Sequence, residues 1–125
     1  MSKIGRYSAD RKKIEALSAA KTVEVSDCGT CFTAAGGITI TMPDAATAGE
    51  GWWIRIVKSD TGGALTITAT SSLDGVGVDG NANVVLSGDF TIHADAGKGS
   101  YVEIWSDGSQ YYAMGIADHN NGFTA

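Results

Sequence analysis

The chain has 125 residues, 43% of them apolar and only 18% charged, with a net charge of −5. That length suits one domain with a single core. No window reaches the roughly 18 apolar residues of a membrane span, and no apolar run follows the basic start as a secretory signal would require.

Charge divides the chain at its start. Residues 1–21 sum to +4 and the remaining residues to −9, so the sequence reads as a basic N-terminal arm, 1–21, on an acidic β domain, 22–125. Such an arm is the pattern of an interaction tail, and the acidic body would repel nucleic acid. Within the arm Ser8 is placed to cap a short helix over 9–20, with Ile14 and Leu17 as a thin apolar stripe.

From Thr22 the apolar period becomes two. Strands are expected over 22–26, 38–42, 52–58, 64–70, 83–87, 89–94, 100–106 and 110–116, separated by Gly- and Asp-rich turns. Seventeen glycines and a single proline fit short strands joined by tight turns. The spacing of about 8–12 residues predicts an all-β fold, an antiparallel sandwich or barrel, jelly-roll-like, of about eight or nine strands. The firmest hairpin centres on Asp107-Gly108. No long-period repeat is present, which speaks against a solenoid.

Two motifs invite chemical readings. Cys28-Gly29-Thr30-Cys31 is a C-x-x-C, but there is no second cysteine pair, and His93 and His119 lie at no ligand-like spacing. A local disulfide would require oxidising conditions. Gly75-Val76-Gly77-Val78-Asp79-Gly80 fits G-x-G-x-x-G, yet strand-like residues follow it, not the helix that receives a pyrophosphate. Asp79, Asn81 and Asn83 match the opening ligands of a calcium loop, without its glycine or its closing glutamate. No nucleophile motif accompanies the histidines. The expectation is therefore a binding or structural protein with no enzymatic activity, no metal and no cofactor.

Aromatic residues carry more information. Trp52, Ile54 and Ile56 form the stronger apolar face of their strand, as do Val102 and Ile104 of theirs. In the last strand Tyr112, Met114 and Ile116 are expected inward and Tyr111 outward. That leaves Trp53, Tyr101, Trp105 and Tyr111 as outward aromatics. They fit a second covered face, a subunit interface or a sugar-stacking platform.

The run Ile38-Thr39-Ile40-Thr41-Met42-Pro43-Asp44-Ala45-Ala46-Thr47-Ala48-Gly49 and the strand after it resemble a pattern of small tailed-phage virion proteins: strand, Leu-Pro, Ala/Gly turn, apolar strand. Met42 stands where leucine is usual. The closing Gly99–Tyr112 segment is similar to that family's terminal hairpin, strand, Ser-Asp-Gly, aromatic strand. The resemblance covers residues 23–116. It implies a head decoration (cement) protein, commonly a homotrimer, on the outer capsid surface of a virion assembled in the host cytoplasm. The partner would be the major capsid protein, with neither nucleic acid nor membrane involved. The arm residues Lys3, Arg6, Tyr7, Arg11, Lys12 and Lys13 would reach onto the capsid, and the outward aromatics would close the trimer. Tail-fibre modules carry related patterns, so a domain adhering to host glycan is the alternative.

Overall fold

The structure, a computed structural model, describes residues 12–81 and 83–124. Strands make up 51% of it and helices 6%, and the strands form two mixed sheets packed as a sandwich. The elements are β1 (Lys13–Leu17), β2 (Lys21–Thr22), a 3-10 turn (Val25–Asp27), β3 (Thr30–Ala34), β4 (Thr39–Thr41), α1 (Ala45–Ala48), β5 (Glu50–Lys58) and β6 (Leu65–Thr68). There follow β7 (Leu73–Val78), β8 (Asn83–Ser87), β9 (Phe90–Ile92), β10 (Tyr101–Asp107), β11 (Tyr111–Ile116) and β12 (Phe123–Thr124).

A seven-stranded sheet runs β1-β3-β5-β10-β11-β7-β8, and a five-stranded sheet runs β12-β9-β6-β4-β2. Between them lies one core. Phe32, Ile54, Ile56, Val102, Ile104 and Tyr111 come from the larger sheet, and Ile40, Leu65, Ile67, Phe90 and Ile92 from the smaller. Each such side chain contributes about 1.5–3 kcal/mol when fully buried.

Several expectations change here. The predicted helix over 9–20 is replaced, in its described part, by β1, which pairs with β3 in parallel. Alanines favour a helix locally, but Glu15 and Leu17 lie opposite Phe32 and Ala34 on the inward side of the sheet, and tertiary pairing wins. The β body therefore reaches back to Lys13. Nor is the sandwich purely antiparallel: β1/β3, β3/β5, β2/β4, β4/β6 and β7/β11 all pair in parallel.

Those parallel pairs have a simple origin. From β1 to β6 the chain alternates between the sheets, winding three coils in the manner of a short solenoid. The coils differ in length: Lys13 opposes Thr30, 17 residues on, whereas Cys31 opposes Arg55, 24 residues on. Unequal coils leave no fixed period in the sequence.

The G-x-G stretch is strand β7, and its glycines serve close packing. A Cβ at Gly77 would sit 2.5 Å from the Phe123 ring, and one at Gly75 would sit 2.3 Å from the Ala113 carbonyl oxygen. The hairpin at Asp107-Gly108 forms as expected between β10 and β11. Asp107 Oδ1 accepts from the backbone N–H groups of Ser109 and Gln110, and Gly108 has φ 90°. One end of the sandwich is pinned by Lys58. Its side chain is fully buried and its Nζ donates to the carbonyls of Asp60 (2.5 Å) and Ala94 (2.9 Å).

Candidate functional site

The outer faces of the two sheets differ in kind. On the five-stranded sheet the outward strand positions are threonines: Thr22, Thr39, Thr41, Thr66, Thr68, Thr91 and Thr124. This is an ordinary hydrated β surface. The outer face of the seven-stranded sheet is instead largely apolar.

Strand register builds that face row by row. One row runs Ile14, Cys31, Arg55, Glu103, Met114, Val76, Val85 across all seven strands. The row on one side is Trp53, Trp105, Tyr112, Asp74, Ser87, and on the other Thr33, Val57, Tyr101, Ile116, Val78, Asn83. Met114 is 58% exposed, Ile116 50% and Val85 72%, with Val76, Val78, Trp105 and Tyr112 exposed as well. Exposed apolar residues gathered on one face in this way are what contact sites are built from.

The two central charges of the face pair with each other. Arg55 donates through Nε and Nη2 to Glu103 Oε2, the shorter bond being 2.7 Å. The Glu103 hydrogen bond outweighs partial burial and holds the guanidinium above its ordinary pKa. Arg55 also lies 5.2 Å from the Tyr101 ring centroid. Around this pair Arg55, Tyr101, Glu103, Trp105 and Met114 line a shallow depression. Trp105 and Tyr112 are tilted neighbours at 6.3 Å.

The expected aromatics divide. Trp53, Tyr101 and Trp105 do share this face, Trp53 and Tyr101 half-buried and Trp105 exposed. Tyr111 does not: it is fully buried, its ring 6.0 Å from Trp52 and its hydroxyl donating to the Pro43 carbonyl at 2.5 Å. The inward residues of β11 are Tyr111, Ala113 and Gly115, and the outward ones are Tyr112, Met114 and Ile116. Reading the larger side chains as the core inverted this strand, because Phe123 of the opposite sheet fills the space above Gly77 and Gly115. The signal that finds the face is large apolar residues alternating with glycine or alanine, at 76–78 and again at 112–116.

Of the arm residues, Lys3, Arg6, Tyr7 and Arg11 lie outside the described residues. Lys12 and Lys13 are exposed, and Lys13 Nζ donates to the Ser26 carbonyl at 3.4 Å. Cys28 is exposed and Cys31 buried, both as free thiols.

Among the described residues one group of three metal-capable side chains stands together, His93, Asp95 and His119. Hydrogen bonds occupy both of its Nδ1 atoms. His93 Nδ1 accepts from the Asp95 N–H and His119 Nδ1 from the Asn121 N–H, so in each neutral ring the proton sits on Nε2. The rings stack at 4.1 Å with 10° between their planes, and one ligand atom from each of the three residues lies within 4.8 Å of the others.

No family model, curated protein or solved structure matches the chain.

Proposed function

We propose that this chain is a structural binding module of a tailed-phage particle, of the head-decoration type, which docks on the major capsid protein through the outer face of its seven-stranded sheet. One observation carries the reading: at β7 and β11 the chain spends its small residues on the core and turns valine, tyrosine, methionine and isoleucine outward. Hydrophobic residues placed this way gain nothing in the isolated domain and gain burial in an assembly. A sheet face whose central Arg55–Glu103 pair is internally balanced suits a protein partner, where an unpaired buried charge would be costly. The phage-like strand-Pro-Ala/Gly-strand and terminal hairpin segments, β4-α1-β5 and β10-β11, supply the particle context. The basic residues before β1 add attraction toward an acidic shell.

Co-sedimentation with expanded heads tests this. Trp105→Asp with Met114→Lys, the lysine standing opposite Glu103, should weaken capsid binding at least tenfold in a chain that stays folded by circular dichroism. Undiminished binding by the folded double variant overturns the docking face. Removal of residues 1–11 should weaken binding in a salt-dependent way.

A second reading, adhesion to glycan, draws on the row Trp53-Trp105-Tyr112 beside Arg55 and Glu103, with Tyr112 taking the place expected for Tyr111. Aromatic faces beside charged hydrogen-bonding groups suit a saccharide. A glycan array decides between them, because a capsid-docking protein gives no hits.

A further inference from the structure

We infer that β8 is a homodimerisation strand, through which two copies of this chain pair antiparallel across a two-fold axis at Val85. The inference stands apart from the capsid reading.

Among the described residues the sandwich has four sheet edges: β1, β8, β2 and β12. Exposed edges invite pairing, and proteins protect them by shortness, charge, proline or bulges. β2 and β12 are two residues each, and β1 carries Lys13 and Glu15. β8 has none of these protections: it is five residues, Asn-Val-Val-Leu-Ser, with no charge, no proline and no bulge against β7.

Hydrogen-bond alternation shows which of its groups are free for a partner. Tyr111 N–H bonds to Ser72 O, and Ala117 N–H to Val78 O. The even residues of β7 therefore face β11, and the odd ones, Leu73, Gly75 and Gly77, face β8. Gly88 N–H bonding to Leu73 O agrees. By the same alternation Val84 and Leu86 point their backbone groups at β7, and Asn83, Val85 and Ser87 point theirs out of the sheet.

This outward set is self-complementary. With a two-fold axis at Val85, Val85 meets Val85 of the second copy, Asn83 meets its Ser87, and Ser87 its Asn83. All three pairs fall at hydrogen-bonding positions. No like charges oppose each other, and polar meets polar while valine meets valine. Two seven-stranded sheets become one continuous sheet, and the apolar outer face continues through Val85, itself 72% exposed.

Sedimentation velocity and light scattering on the whole chain read this directly. A species of twice 12.9 kDa is expected in the micromolar range, tightening as salt screens the repulsion between two copies of charge −5. Val85→Pro removes an outward N–H that the native ladder does not use, and Val85→Lys places like charges on the axis. Each should weaken association at least tenfold. Val85→Lys keeps the test decisive if the proline variant misfolds by circular dichroism. Trp105→Asp, away from this edge, should dimerise as wild type. A wild-type chain that remains monomeric at about 100 μM, a trimer mass, or dimerisation unaffected in the folded Val85 variants would overturn the inference.

Discussion

Thr30 is fully buried, and its hydroxyl is the one buried side-chain polar atom without a partner among the described residues. Such a group costs about 1–3 kcal/mol, and an isosteric apolar side chain avoids the penalty. Thr30→Val should therefore stabilise the fold by about 1 kcal/mol in urea unfolding. Tyr111 shows the opposite economy, a buried hydroxyl with its partner in place. Burial, with the charge of Asp44 adding to it, pushes its phenol from the ordinary 10.0 up to about 12. The neutral form is thus favoured in the folded state. Its contribution is intact below pH 10 and lost as the pH rises through about 12. Tyr111→Phe should cost about 1 kcal/mol at neutral pH and should lack this alkaline loss in chemical denaturation followed from pH 9 to 12. The inward position of Tyr111 was not legible from its neighbours. Tyr112, Met114 and Ile116 outweigh Ala113 and Gly115 in hydrophobicity, and only the ring of Phe123, on the opposite sheet, explains why the glycine faces the core.

Strands were legible where burial is one-sided. Trp52, Ile54 and Ile56 in β5, Ile38, Ile40 and Met42 around β4, and Val102 and Ile104 in β10 all point inward as their alternation dictates. β7 escaped notice because two of its three inward residues are glycines, which read as a turn. β1 escaped because its residues favour a helix and only the parallel ladder with β3 makes it a strand. The candidate site was half-legible for the same reason: Trp53, Tyr101 and Trp105 alternate with an obvious core, while Tyr112, Met114 and Ile116 looked like core themselves and Val76 lay in what reads as a glycine motif. Packing between β7, β11 and β12 gives a direct test. Gly77→Ala puts a methyl group into the Phe123 ring and should cost about 1–3 kcal/mol. The cost of Gly77→Ala should shrink in a Phe123→Leu background, a coupling that a double-mutant cycle measures.

For the whole molecule the pairing pattern sets the kinetics. Neighbouring strands are mostly distant in sequence, as with β5 and β10 or β7 and β11, so loop closure precedes any gain from pairing. Refolding in stopped-flow fluorescence of the tryptophans should take milliseconds to seconds and not microseconds. The three coils of the first half have a consequence of another kind. Because they alternate between sheets, residues up to β6 own one contiguous end of both sheets, and residues from β7 onward own the other. The halves share two strand seams, β5 against β10 and β6 against β9, and side chains such as Lys58 and Tyr111 bond across the division as well. A nick near 70–72 thus cuts no strand, and each fragment exposes the raw seams that the other completes. The two peptides should be unfolded apart and reconstitute the native sandwich on mixing, which makes this chain a natural candidate for a split, two-component tag.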